Sequence, residues 1–428
     1  MKRKIREVAR QLRKVQTGEG PRSVRSLIVL KHRKGYDSCL RQLRAAGIRP
    51  VKTVRGCRMI GCSAPRSTDW TALAKHPDVA YIETDRRAKI HGKPASAAAN
   101  GLRRGAARRK RSESARPNGP ERVHHKRRES ANANRLACAP HKGRAPGCPG
   151  IPWNISRVLA PPLWNRTKGA CARLAVIDTG ISPNPDLSIA GGVNTLGGRS
   201  FKDDNGHGTH VAGIAAATGH KRIFGVAPKV KLYAVKALDE FGTGFVSDIA
   251  EGIDWCIANR MQVINMSFGL PGGSRVLRDA VARARRAGIV MTASAGNDGP
   301  DNPRIDAPAR YPGVLGIAAT TRRNRPASFS SRGAGIALAA PGVNILSTAP
   351  GRGYARMSGT SMSSPHAAGG AALIRALAPR LPASCVARRL KSAARPLSGG
   401  RRAVGRGLLQ IAPAAAGLRC EQRRRSRE

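Results

Sequence analysis

Between residues 153 and 418, short continuous apolar runs alternate with stretches that are apolar along one helical face only. The runs are Leu174–Ile177, Lys231–Val235, Val263–Phe268, Ile289–Ala293 and Val314–Ala318. Val246, Ile249, Ile253 and Ile257 make one helical stripe, and Leu277, Val281 and Ala284 make another. A strand that is apolar on both faces must be covered on both faces, and amphipathic helices joining such strands supply the cover. The pattern predicts an α/β fold: a doubly wound, mostly parallel sheet with helices on both faces. In such a sheet, ligands bind beyond the carboxyl ends of the strands.

Residues 25–90 read as a smaller βαββαβ unit. Leu27-Ile28-Val29-Leu30 is a short apolar strand, and Leu40, Leu43 and Ala46 keep helical spacing. Val51, Val54, Met59 and Ile60 suggest further strands, Trp70 and Leu73 a second short helix, and Asp78 to Glu83 a last strand. Residues 1–24 are a basic segment carrying Lys2, Arg3, Lys4 and Arg6 but lacking the apolar run of a secretory signal. Residues 91–152 hold Arg103-Arg104, Arg108-Arg109-Lys110-Arg111 and Lys126-Arg127-Arg128 among small and polar residues. So little apolar surface cannot offset the entropy of ordering, and a disordered linker is expected. Residues 153–418 form the large domain, and residues 419–428, with Arg423, Arg424 and Arg425, a frayed basic tail.

Lys and Arg number 77 against 25 Asp and Glu, a formal net charge of +52. Such an excess on its own points to nucleic acid. Yet Gly, Ala, Arg and Pro are all abundant, and a genome-wide compositional bias yields the same charge; that reading comes first. The linker also lacks aromatics interleaved with its cations, so a nucleic-acid partner has little support. No run of about eighteen uncharged apolar residues exists, which excludes a membrane-spanning helix. The nine cysteines contain no C-x-x-C pair and no zinc-finger spacing, and Cys256 falls on the apolar side of a helix. They leave the redox compartment open.

Three motifs follow one another in the large domain. The first is Ala175-Val176-Ile177-Asp178-Thr179-Gly180, an apolar strand that ends on a carboxylate and a glycine turn. The second is Asn205-Gly206-His207-Gly208-Thr209-His210, which places His207 at a helix start between glycines that permit close approach. His210 lies one turn on and reads as structural; the H-E-x-x-H arrangement of a zinc site is absent. The third is Ser358-Gly359-Thr360-Ser361-Met362-Ser363-Ser364-Pro365-His366, with Ser361 at a helix N-terminus and Pro365 accommodated in the first turn. Each alone has a bland reading as a loop cap, a structural histidine or an N-cap serine.

Together, in the order Asp, His, Ser, these strings resemble the subtilisin family of serine proteases. The resemblance covers about residues 153–418. It extends to residues 25–90, which are similar to the family's inhibitory propeptide, with Val79 to Asp85 as its closing strand. The resemblance implies a serine endopeptidase made as an inhibited precursor, acting on proteins and peptides with no cofactor in the chemistry. Ser361 would be the nucleophile, His207 the general base and Asp178 the group that orients His207. Asn297, in Ala295-Gly296-Asn297-Asp298-Gly299, would donate to the oxyanion. Gly242-Thr243-Gly244 and Ser267-Phe268-Gly269 would clamp an extended substrate, and Ser294, Ala295 and Gly296 would wall the first specificity pocket with Ser267–Gly269. Counting back from Pro308 places Asp306 near the base of that pocket, which leads us to expect Arg or Lys before the scissile bond; the equal alternative is that Asp306 points to solvent and the pocket accepts large apolar residues, as is common in the family. The alternative from another class is a basic nucleic-acid-binding protein carrying an inactive protease domain; an intact triad with Asn297 argues against it.

The chain departs from the family in three places. Asp186 matches an early calcium ligand, but the loop before Gly225-Val226-Ala227-Pro228 reads Thr218-Gly219-His220-Lys221-Arg222, short and cationic where oxygen ligands are wanted. A structural calcium is therefore expected to be weak or absent. The basic linker is unusual between propeptide and enzyme. The resemblance implies secretion, whereas no signal segment is visible.

Overall fold

The N-terminal unit is built around β1 (Ser23–Leu30), which pairs antiparallel with β3 (Met59–Pro65) on one side and β4 (Val79–Thr84) on the other. β2 (Lys52–Val54) extends the sheet beside β3. This computed structural model describes residues 23–45, 49–66, 68–91, 93–94, 150–301 and 304–418, all within one compact unit. Helices α1 (Arg33–Ala45) and α2 (Thr71–Ala74) cover one face of the small sheet around Ile28, Leu30, Leu43, Ile60 and Leu73. The opposite face, with Leu27, Val29 and Met59, joins the core of the large domain. Alternate residues of β1 thus serve two cores, as the two-residue period of a strand requires.

The large domain holds seven parallel strands: β7 (Arg173–Asp178), β8 (Ile189–Asn194), β9 (Lys231–Lys236), β11 (Val263–Met266), β13 (Val290–Ser294), β14 (Val314–Thr320) and β15 (Ile336–Pro341). Their order is β15-β14-β13-β11-β7-β9-β8. Helices α3 (His207–Ala216) and α6 (Thr360–Leu377) pack on the face presenting Leu174, Val176, Val263 and Val290. Helices α4 (Val246–Ala258) and α5 (Arg275–Arg286) pack on the face presenting Ala175, Ile177, Ile264 and Met291. The doubly wound fold is as expected. Strand order reverses between β7 and β11, so the crevice of such a sheet opens at their carboxyl ends, where Asp178 stands.

Acidic side chains of the N-terminal unit cap two helices of the large domain. Glu83 Oε1 accepts from Ser274 Oγ (2.5 Å) and Val276 N (3.0 Å), and its Oε2 from Arg275 N (3.0 Å). Asp85 Oδ1 accepts from Ser247 N (3.0 Å) at the start of α4, and Oδ2 from Ser247 Oγ (2.7 Å). Both satisfy N–H groups that a helix cannot pair internally. Burial pushes the Asp85 carboxyl up to about 6, against the pull of Ser247 and of Arg25, 3.0 Å away.

The chain after β4 is where the structure goes beyond the sequence reading. Arg87–Ile90 forms β5, between β10 (Thr243–Phe245) and β12 (Phe268–Gly269) and antiparallel to both. Lys93–Pro94 forms β6, beside β17 (Tyr354–Ser358), which also pairs with β16 (Ile345–Thr348). Strand pairing therefore continues to residue 94, and both strands pair with the large domain and not with the small sheet. Residues 1–22, most of the expected linker (95–149) and the tail from 419 lie outside the described residues. Pro365 also differs from expectation. It is the sixth residue of α6, beyond the first turn, and its missing N–H leaves the Ser361 carbonyl free to accept from Ser267 Oγ (3.0 Å). Among the described residues no helix is long and apolar enough to cross a membrane. Cys39, Cys57, Cys62 and Cys256 are buried free thiols, and burial pushes the first three up to about 12.

Candidate active site

Asp178 ends β7, and His207 opens α3 behind Gly206, whose φ of 99° favours glycine. His207 Nδ1 lies 2.7 Å from Asp178 Oδ1, so the ring carries its proton on Nδ1 and leaves Nε2 an acceptor on the side away from Asp178. Both side chains are buried, and Nε2 has no hydrogen-bond partner. His210 is structural, as its motif suggested: Nε2 donates to Ile345 O (3.0 Å) and Ala355 O (3.1 Å). Burial, and then the neighbouring His207, hold its pKa down at about 3.

Ser361 is the second residue of α6, after Gly359. Its Oγ donates to Ser267 O (2.8 Å) and accepts from His91 N (3.1 Å), so the hydroxyl is turned onto the β11–β12 edge and not onto His207. Asn297 Nδ2 donates to His91 O (2.8 Å), and Ser361 N donates to the same oxygen (3.3 Å). The Asn297 amide is oriented by its other end, since Oδ1 accepts from Thr360 N (3.0 Å) and Thr360 Oγ1 (2.9 Å). A carbonyl oxygen of the chain itself thus occupies the two-donor site expected for an oxyanion.

The two runs expected to clamp a substrate flank β5 of the chain itself. Lys89 pairs with Thr243 and with Gly269, Ala88 with Gly244 and Ile90 with Phe268, while Ile90 N donates to Gly242 O (3.0 Å). His91 N also points at Ser267 O, at 3.4 Å. The His91 ring enters the pocket behind the second edge. Its Nδ1 is 2.8 Å from Ser294 Oγ, and its Nε2 is 2.8 Å from Asp306 Oδ2. Ala295 O holds the Asp306 N–H (3.0 Å), and a Cβ on Gly296 would come 2.6 Å from Ser331 Oγ. Asp298 is exposed.

The amino-acid sequence of residues 169–408 matches a family model described as "Subtilase family". The chain belongs to the subtilase family. This subtilase is 49% identical over 228 residues to Subtilisin Savinase of Lederbergia lenta, a match covering 53% of this chain and 84% of that protein. It is 48% identical over 232 residues to a thermostable alkaline protease of Halalkalibacterium halodurans, covering 54% of this chain and 64% of the relative. Alkaline elastase YaB of Bacillus sp. (strain YaB) is 46% identical over 228 residues, 53% of this chain and 60% of its own length.

The subtilase does not fit calcium at Asp186. Its carboxylate accepts from Lys221 N (2.5 Å), Arg222 N (2.9 Å), Ile223 N (2.9 Å) and Tyr354 Oη (2.8 Å). Those four donors take the lone pairs a cation would need, and the Arg222 guanidinium lies 4.9 Å from the Tyr354 ring centre. Burial and the bond to Asp186 push the Tyr354 phenol up to about 12, so it stays a donor. No cluster of three or more His, Cys, Asp or Glu that could hold a metal occurs among the described residues.

Sequence reasoning missed Asp203. Its Oδ1 accepts from Thr179 Oγ1 (2.8 Å) and Gly206 N (2.8 Å), and its Oδ2 from Thr209 N (2.8 Å) and Thr209 Oγ1 (2.6 Å). It therefore ties the end of β7 to the start of α3 and fixes Asp178 against His207. An acid four residues before a helix-opening histidine was the available signal.

Proposed function

We propose that this subtilase is a serine endopeptidase made as an inhibited precursor, and that the first bond it cuts is its own, after His91. The observation that carries this reading is the His91 carbonyl oxygen between Asn297 Nδ2 and Ser361 N, on a strand clamped at both edges. Ser361 Oγ attacks the His91 carbonyl carbon once it exchanges Ser267 O for His207 Nε2. That exchange trades one hydrogen bond for another, a net difference of about 1 kcal/mol or less. His207 takes the proton on Nε2, and Asp178 Oδ1 holds Nδ1–H and stabilises the imidazolium. The oxyanion forms where the carbonyl already lies, so the donors need no rearrangement. On collapse His207 gives the proton to the amine of Gly92, the bond from His91 to Gly92 breaks, and an acyl-enzyme remains on Ser361. Water, activated by His207, then releases the His91 carboxylate.

The cut segment remains bound because Glu83, Asp85 and β5 hold it independently of the scissile bond. It inhibits as a product until displaced. Other protein substrates bind in the same extended form, since main-chain pairing along β10 and β12 is indifferent to side-chain identity. Labelling by a fluorophosphonate tests the nucleophile. Parental enzyme should be modified on Ser361, and His207→Ala should lose labelling together with turnover of denatured protein. Parental turnover in Ser361→Ala would remove the proposal.

A further inference from the structure

The pocket that receives His91 is polar at two points. Ser294 Oγ, fully buried at the end of β13, meets Nδ1; the Asp306 carboxylate, 8% exposed, meets Nε2. The walls between them are backbone. A Cβ on Gly269 would lie 2.0 Å from His91 Nε2 and 2.3 Å from Asp306 Oδ2, so the ring lies against the strand edge where only glycine leaves room. We infer that this pocket selects histidine immediately before the scissile bond, with Ser294 and Asp306 each reading one ring nitrogen. The inference rests on the peptidase reading above and names its substrate class: extended protein segments carrying histidine at the cut.

The donor and acceptor chemistry explains the choice. A carboxylate only accepts, so Nε2 must carry a proton in the complex. Nδ1 then either accepts from the Ser294 hydroxyl or donates to it, and a hydroxyl rotates to suit. The pocket therefore satisfies both neutral imidazole and imidazolium. Phe or Leu fills the same space but leaves the Asp306 carboxylate buried without a partner. Arg or Lys brings a cation, but sets methylene groups against Ser294 Oγ, and its longer chain must fold to end where the ring ends. Asp306 thus stands where the sequence placed it, with a different partner from the Arg or Lys expected there. Loss of one such buried bond is read as roughly a ten- to hundredfold fall in kcat/KM.

The test uses the full-length protein after self-processing and displacement of its cut segment, confirmed by intact mass, and quenched peptides Arg-Ala-Lys-Ile-X-Gly-Lys-Pro, taken from residues 87–94, with X as His, Phe, Leu, Arg or Lys. The expected result is a kcat/KM for His at least about tenfold above every other peptide, and a collapse of His over Phe toward unity in Asp306→Gly. Phe, Leu, Arg or Lys cleaved as well as His in the parent overturns the inference and leaves the peptidase reading standing. An unchanged His-to-Phe ratio in a folded Asp306→Gly does the same. If that variant fails to fold, the parental ranking decides alone. No cleavage of any peptide by parental protein overturns the peptidase reading and this inference together.

Discussion

Replacing Glu83 by alanine should convert a tight inhibitory segment into a weak one. Glu83 is half-buried and spends both carboxylate oxygens on the first turn of α5, with Ser274 Oγ, Arg275 N and Val276 N. Hydrogen bonds to a charged acceptor contribute about 1.5–3 kcal/mol when lost singly, and a carboxylate at a helix N-terminus adds roughly 0.3–1 kcal/mol. The three are not additive, because Ser274 Oγ still caps Leu277 N (3.1 Å) and water can reach part of the vacated turn. We take about 2–3 kcal/mol as the net loss, which is about a 30- to 150-fold rise in the inhibition constant. Residues 23–91 supplied as a separate chain to the processed enzyme, once its own cut segment has been displaced, give that constant directly. Glu83→Gln keeps acceptor oxygen at one position and loses the charge, and should fall between parent and Glu83→Ala. A Glu83→Ala segment that inhibits within about twofold of the parent would refute the reasoning.

Three further outcomes follow from groups elsewhere in the large domain. His210 and His366 are buried neutral, with burial as the main cause holding them at about 3 and about 4. Their native pKa values lie below the ordinary 6.5, so the stability they contribute is present above pH 6.5 and is lost as pH falls toward 4. Each costs about 1.4 kcal/mol per pH unit over that window, roughly 4 kcal/mol for the pair at pH 5. Asp85, raised to about 6, opposes this by roughly 1 kcal/mol as pH falls through that value, so urea unfolding of Ser361→Ala at pH 7 and pH 5 should show a net loss of roughly 3 kcal/mol, and equal midpoints would contradict it. Chelator should leave the melting temperature unchanged, because N–H groups and Tyr354 Oη already occupy Asp186. Tyr354→Phe should lower stability by about 1 kcal/mol. A chelator-induced fall in melting temperature restored by calcium would contradict the donor assignment at Asp186.

Much of the fold was legible because burial on both faces writes itself into composition. β7, β9, β11, β13 and β14 are predominantly apolar runs, and α4 and α5 show their buried stripes. β8 was not visible, since Ile189–Asn194 is an edge strand containing two glycines and no continuous apolar run. β5 was hidden for another reason. Arg87–Ile90 alternates charged and apolar residues over only four positions, and it becomes a strand because β10 and β12 offer it two edges. His91 was invisible as a site residue because its meaning lies in its partners, Ser294 and Asp306, more than two hundred positions away. Glu83 and Asp85 likewise cap helices remote in sequence, where the local spacing that marks an ordinary cap is missing. By contrast Asp178, His207, Ser361 and Asn297 each sit inside a local string; the structure pairs the first two with each other and sets the last two on the backbone of His91.

The most direct test of the central claim is intact-mass and N-terminal analysis of the purified full-length protein beside Ser361→Ala. The parent should appear as two fragments, with a new N-terminus at Gly92 preceding any further trimming, and Ser361→Ala should remain a single uncut chain. A Ser361→Ala protein cut at the same bond, or a parent whose earliest new terminus lies elsewhere, would contradict the proposal that Ser361 acts first on the carbonyl of His91.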